Sequence, residues 1–182
     1  MFIVLGVIVV LVAAGIGVYA FWDEFVPPSH TPAAMRGSPT RLQDKRVPGF
    51  TLPGLVGQGF TARDLMTSRR PILVKFWGSW SPACIQEYPV LMELQAARVE
   101  MWAVAFRDSR TNALDYLERN GSPFARVAHD VAGRVASDWG VTSAPATLLV
   151  DGEGFVRWSR SGPLTPQIVE RELMPMRERY SI

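Results

Sequence analysis

The chain has 182 residues, 48% of them hydrophobic, a formal charge of +2 at pH 7 and one cysteine. That length allows one ordinary domain with an appendage, not two full domains. A lone cysteine excludes an internal disulfide and a cysteine-only metal site, and His30 and His129 lie too far apart in sequence to suggest zinc. The 17 Arg and 2 Lys are scattered among 17 acidic residues without a long basic block, which excludes a dedicated nucleic-acid binder.

The hydrophobic excess sits at the start. Residues 2–22 read FIVLGVIVVLVAAGIGVYAFW, with no charge and no strongly polar group. About 20 such residues cross a hydrocarbon core of roughly 30 Å, so residues 1–22 are expected to form a transmembrane anchor. A cleaved signal peptide is the rival reading, but no Lys or Arg precedes the run and the run is long. Asp23 and Glu24 follow the span and the first Arg is Arg36. Few positive charges therefore hold back the C-terminal side, which favours a domain outside the cytoplasm. Residues 23–46, rich in proline, are expected to be a flexible tether. The folded domain is then expected over residues 47–182.

Within the domain, residues 47–65 read as a short hairpin or two extended pieces punctuated by glycine. ILVKFW at 72–77 and MWAVAF at 101–106 are apolar runs suited to strands buried in a sheet. Ser81 suits a helix N-cap and Pro82 the first turn of a helix running to about residue 98, with Pro89 kinking it. Helices are expected over 111–120 and 131–139, with a short strand at 126–128 between them. A strand at 147–150, the turn Asp151-Gly152-Glu153-Gly154 and a returning strand at 155–159 form the clearest hairpin signal. An amphipathic helix over 165–180 closes the chain. Alternating strands and helices imply an α/β fold with a central mixed sheet flanked by helices.

The stretch Trp77-Gly78-Ser79-Trp80-Ser81-Pro82-Ala83-Cys84, with Glu87 and Pro89 after it, lies between a buried strand and a helix N-terminus. Such a terminus stabilises an anion and lowers the pKa of a thiol placed there. ILVKFWGSWSPACIQEYPVL resembles the active-site region of membrane-anchored, thioredoxin-like thiol-disulfide oxidoreductases. In that family a strand and Phe-Trp-Ala-x-Trp precede Cys-x-x-Cys, then Glu and Pro. GVTSAPATLLVDGEG at 140–154 is similar to the family's loop bearing a cis-proline, followed by a strand and an Asp-x-x-Gly turn. The subgroup it resembles most is the DsbE/CcmG type, which keeps apocytochrome c cysteines reduced for haem attachment.

The resemblance implies a thioredoxin-like fold with an N-terminal transmembrane helix, in the bacterial inner membrane with the domain facing the periplasm. Its implied partners are protein thiols or disulfides, such as apocytochrome c or a maturation partner, and a membrane-anchored electron donor. No cofactor or metal is implied. The implied catalytic positions are Cys84, Ser81 (in the place of the nucleophilic cysteine) and Glu87. The implied substrate-binding positions are Trp80, Pro82, Ala144 and Pro145. Three positions depart from the family pattern: Ser81, Lys75 where relatives carry Asp or Asn, and Ala146 where the subgroup often has Glu.

Ser81 bears most on function. A serine hydroxyl is not ionised at neutral pH and forms no disulfide, so this chain should not complete a dithiol cycle. Two explanations stay open: an introduced or other recent Cys→Ser change, which the intact surroundings slightly favour, and a natural variant with a lost or altered redox step. Two other functions stay open, a non-catalytic binding module and a one-cysteine, peroxidase-like protein. Plainer roles compete at single residues. Cys84 could be an ordinary core cysteine. Glu87 could be a solvated helix residue or a proton relay for thiols. Lys75 could snorkel outward or lie buried near Cys84. Trp77 and Trp80 are expected in the core and at the rim of the site, and His129 and Tyr88 carry only surface or packing signals.

Overall fold

The computed structural model describes residues 40–181. The expected anchor, and the expected tether up to residue 39, lie outside them. Among the described residues no helix is long and apolar enough to cross a membrane.

The strands are β1 (Thr51–Leu52), β2 (Gly54–Val56), β3 (Phe60–Thr61), β4 (Ile72–Trp77), β5 (Met101–Phe106), β6 (Arg126–Asp130), β7 (Ala146–Val150) and β8 (Val156–Ser161). The helices are α1 (Ala62–Met66), α2 (Pro82–Ala96), α3 (Arg110–Asn120) and α4 (Arg134–Asp138). A C-terminal helical segment consists of α5 (Pro166–Ile168), a π turn (Val169–Leu173) and α6 (Met174–Tyr180). Six strands form one mixed sheet in the order β2-β6-β5-β4-β7-β8. β4, β5 and β6 run parallel, whereas β7 lies antiparallel to β4, β8 to β7 and β2 to β6.

β4 is buried along its whole length because both faces of the sheet are covered. Its side chains alternate between two cores. Ile72, Val74 and Phe76 pack with Leu65 of α1 and with Val135, Ala136 and Trp139 in and after α4. Leu73 and Trp77 pack on the other face with Leu91 of α2, Leu117 of α3 and Leu173. Lys75 shares that second face, so alternation alone directs a lysine into an apolar core. It has no exposed surface.

The segment between the first glycines and β4 differs from expectation. β1 pairs only with β3, and β2 leaves them to join β6. Residues 62–66, expected to be extended, are helical. The cause is a capping box: Thr61 accepts from the Asp64 backbone N–H, and the Asp64 carboxylate accepts from the Thr61 N–H at 2.7 Å. Residues 40–46, the end of the expected tether, lie along the β7–β8 hairpin. There the Asp44 N–H donates to Val156 O at 2.8 Å and the Val156 N–H to Lys45 O at 2.9 Å.

Trp139 fills the first core, edge-on to Phe50 at 5.6 Å and to Phe76 at 5.4 Å between ring centroids. Its indole N–H has no partner, so truncating it removes an unpaired donor together with the packed ring. Trp139→Ala should cost about 3 kcal/mol, the lower end for a buried aromatic. Urea unfolding of the two proteins measures this.

Candidate functional site

The site grows from the C-terminal end of β4. Gly78 follows the strand with the Trp80 indole folded against it, so a Cβ there would require the indole to shift. The indole folds back over the turn and donates to Phe106 O at 3.2 Å, while half of the Trp80 surface stays in solvent. The turn is pinned from the β5 side by Asp108. Its carboxylate accepts from the Ser79 N–H at 2.6 Å and from the Ser79 hydroxyl at 3.1 Å. His129 Nε2 lies 2.9 Å from Asp108 O.

Ser81 then caps α2, and Pro82 occupies the first turn as expected. The Ser81 hydroxyl has two partners. Its oxygen accepts from the Cys84 N–H at 3.4 Å, and its proton is donated to Ala144 O at 3.1 Å. Ala144 precedes Pro145 through a cis peptide bond. The expected substrate-binding positions Trp80, Pro82, Ala144 and Pro145 thus gather around Ser81 from two loops. A shallow groove of about 330 Å³ adjoins Trp80, lined by Ser79, Asn112, Asp115, Tyr116 and Arg119 among others.

Cys84 is buried in the second core. Burial pushes its thiol up from the ordinary range. Smaller downward pulls come from the Ser81 hydroxyl, the Gly78 backbone and the Lys75 ammonium, and the Glu87 carboxylate adds a smaller upward push. The expectation that a helix N-terminus lowers the pKa of a thiol placed there is therefore reversed for Cys84. It sits third in the helix with its side chain turned into the core, where desolvation outweighs the terminus. Burial and a raised pKa also weigh against a thiol that reacts with peroxide.

Glu87 is not a solvated helix residue, being only 2% exposed. Its carboxylate accepts from Lys75 Nζ through Oε2 at 2.8 Å, with Oε1 in ionic contact at 2.7 Å. Oε2 also accepts from the Leu164 N–H at 2.8 Å. Lys75 does not snorkel outward; it donates a second hydrogen bond to the Thr147 hydroxyl at 2.8 Å. Thr147 sits opposite Lys75 in the β4–β7 register. The contacts of Thr147, Leu164 and Asp108 were not expected, because each is made between elements distant in sequence and not within a local window. Trp77 is buried and Trp80 is at the rim, as expected. Tyr88 is buried too, and its hydroxyl donates to Gly121 O. Among the described residues no three His, Cys, Asp or Glu side chains converge as a metal ion would need.

A family model described as AhpC/TSA matches residues 44–159. The thiol:disulfide interchange protein DsbE of Xylella fastidiosa is 36% identical over 174 residues, covering 95% of this chain and 83% of that protein. The DsbE of Escherichia coli is 35% identical over 148 residues, covering 79% of this chain and 80% of that protein. This chain belongs to the DsbE thiol:disulfide interchange family. A DsbE-type structure from Chlorobium tepidum matches with a TM-score of 0.62 at 25% identity, over 75% of this chain and 95% of that one. A secreted thiol-disulfide isomerase from Corynebacterium glutamicum shares the fold, with a TM-score of 0.63 at 22% identity over 82% and 96% of the two chains. The thioredoxin-like α/β fold expected for a DsbE protein is the fold observed.

The raised Cys84 pKa has a consequence for stability. The folded chain keeps this proton where the unfolded chain releases it, so stability is fully present below the ordinary thiol pKa and falls as pH rises above it. Cys84→Ala removes that term. Melting temperatures compared from about pH 8 upward should fall less steeply for the variant; equal slopes would remove thiol burial as the cause.

Proposed function

We propose that this DsbE-type chain engages protein thiols or disulfides through the surface that Trp80, Ala144 and Pro145 form beside Ser81, and does not itself complete a dithiol cycle. Thiol–disulfide interchange is the chemistry of its family, and that chemistry needs two sulfurs. The thiolate of the first attacks a client disulfide and forms a mixed disulfide. The thiolate of the second attacks that bond, releasing the client dithiol and leaving an internal disulfide. Two electrons pass from the pair to the client. The observation that carries the proposal is the Ser81 hydroxyl in the first position, committed to Cys84 N–H and Ala144 O. It keeps the helix cap and the link to the proline loop while supplying no sulfur.

The reading extends to a periplasmic role in cytochrome c maturation, with an apocytochrome c or a maturation partner as client and a membrane-anchored electron donor. The family membership and the apolar segment at residues 2–22 support it. A peptide carrying the Cys-x-x-Cys-His haem-attachment segment is the appropriate probe.

The test is Ser81→Cys in the full-length chain. The variant should form an internal disulfide on oxidation and, once reduced, reduce the oxidised peptide with turnover. The original chain should bind the same peptide with similar affinity and show no turnover. A Ser81→Cys protein that is folded yet inert, or turnover by the original chain, would overturn the proposal.

A further inference from the structure

At the end of the sheet opposite Ser81 lies a cavity of about 560 Å³. It opens where the parallel strands β4 and β5 begin, and the Leu73 N–H donates to Glu100 O at 2.9 Å to join those strand starts. Ser68 and Arg70 line it from the loop before β4, Arg98 and Glu100 from the loop between α2 and β5, and Arg177 and Ser181 from the C-terminal segment. Three arginines that stand far apart in sequence therefore meet one space.

Each arginine is placed by its backbone. α2 ends in a Schellman turn, in which the Arg98 N–H donates to Gln95 O at 2.8 Å and the Val99 N–H to Leu94 O at 3.0 Å. Arg98 has a φ of 58°, at a position where glycine is usual. The Ser68 hydroxyl donates to Arg70 O at 2.6 Å and the Ser181 hydroxyl to Arg177 O at 2.7 Å, which ties down the other two. Charge in the cavity is unbalanced. Elsewhere carboxylates answer arginines, as Asp64 does Arg126, Asp151 does Arg157 and Glu172 does Arg160. Among the described residues Arg70, Arg98 and Arg177 form no ion pair. Glu100 shares the cavity without pairing to them, and its carboxylate accepts from the Trp102 indole N–H at 2.9 Å. Three guanidinium groups against one carboxylate leave a surplus of two positive charges.

We propose that this cavity is a binding site for a phosphate-bearing anion, held by Arg70, Arg98 and Arg177. Like charges that face one space repel, and an anion between them removes that cost. A guanidinium suits phosphoryl oxygens because its planar fork donates two parallel hydrogen bonds and keeps its charge at any working pH. Three forks from three directions match a phosphoryl group, which carries oxygens on several sides, better than a flat carboxylate. The cavity has the size of a small-molecule site and leaves room beyond one phosphate group. A soluble phosphate compound and the phosphate of an anionic lipid headgroup share this chemistry. The site uses no residue of the surface beside Ser81 and is independent of what that surface binds.

The test uses the full-length chain in a neutral detergent and a phosphate-free buffer. Isothermal titration with sodium pyrophosphate and, separately, with a short-chain phosphatidylglycerol reads the two sources. One-site saturation below about 1 mM is expected with at least one of them. Saturation by pyrophosphate alone assigns a soluble ligand, saturation by the lipid alone assigns a headgroup, and either supports the site. Arg98→Gln and Arg177→Gln should each weaken binding about tenfold, the loss of a charged hydrogen-bonding group. Arg134→Gln removes the same charge from an exposed position at the start of α4, outside the cavity, and should leave binding unchanged. Absence of saturation with both probes overturns the proposal. So does binding that Arg98→Gln leaves unchanged, or that Arg134→Gln weakens equally. Where Arg177→Gln does not fold, the exposed Arg98 decides alone. A failed Ser81→Cys turnover experiment would leave this result untouched.

Discussion

A lysine ammonium in the middle of a sheet is the constraint around which this domain is arranged. Taking a charge out of water is tolerable only when a counter-charge and hydrogen bonds meet it inside. Here the requirement is met from three directions. α2 supplies Glu87, β7 supplies Thr147, and the loop after β8 turns so that the Leu164 N–H reaches the same carboxylate. These contacts fix how α2, β4, β7 and the C-terminal segment meet. The two loops that carry Ser81 and Ala144 lead into two of those same elements, α2 and β7. Site geometry and buried charge are therefore one problem solved once.

Above that base the proposed site has the frame of a thiol centre with serine in the place of one sulfur. Serine suits the position because its demands are local: a hydroxyl caps a helix as well as any side chain does. It also bridges to Ala144 O across the loop pair. On the reading proposed above, the fold is retained while dithiol chemistry is interrupted. Cys84 lies in the core, where burial pushes its thiol up from the ordinary range.

Much of this was legible in the sequence where the signal is local. The apolar runs at 72–77 and 101–106 marked β4 and β5, Ser81-Pro82 marked the start of α2, and the Asp-Gly-Glu-Gly turn marked the last hairpin. α1 was missed although Thr61 and Asp64 stand at capping-box spacing, because the helix has only five residues and no apolar periodicity to support it. The surroundings of Lys75 were not legible, since Thr147 is 72 residues away and meets it only through strand register. The same holds for Asp108 beneath Ser79. Such contacts belong to topology, and no window along the chain contains them.

The approach of the chain to the domain has its own consequence. Residues 44–46 lie against β8, with Arg46 bridged to Phe155, so the outer row of β8 backbone groups is partly occupied by the chain itself. At the far side of the sheet β2 has three residues and an irregular register. Neither border offers a long, flat template on which a foreign strand could zip. Edge-to-edge self-association through either rim of the sheet is thereby disfavoured.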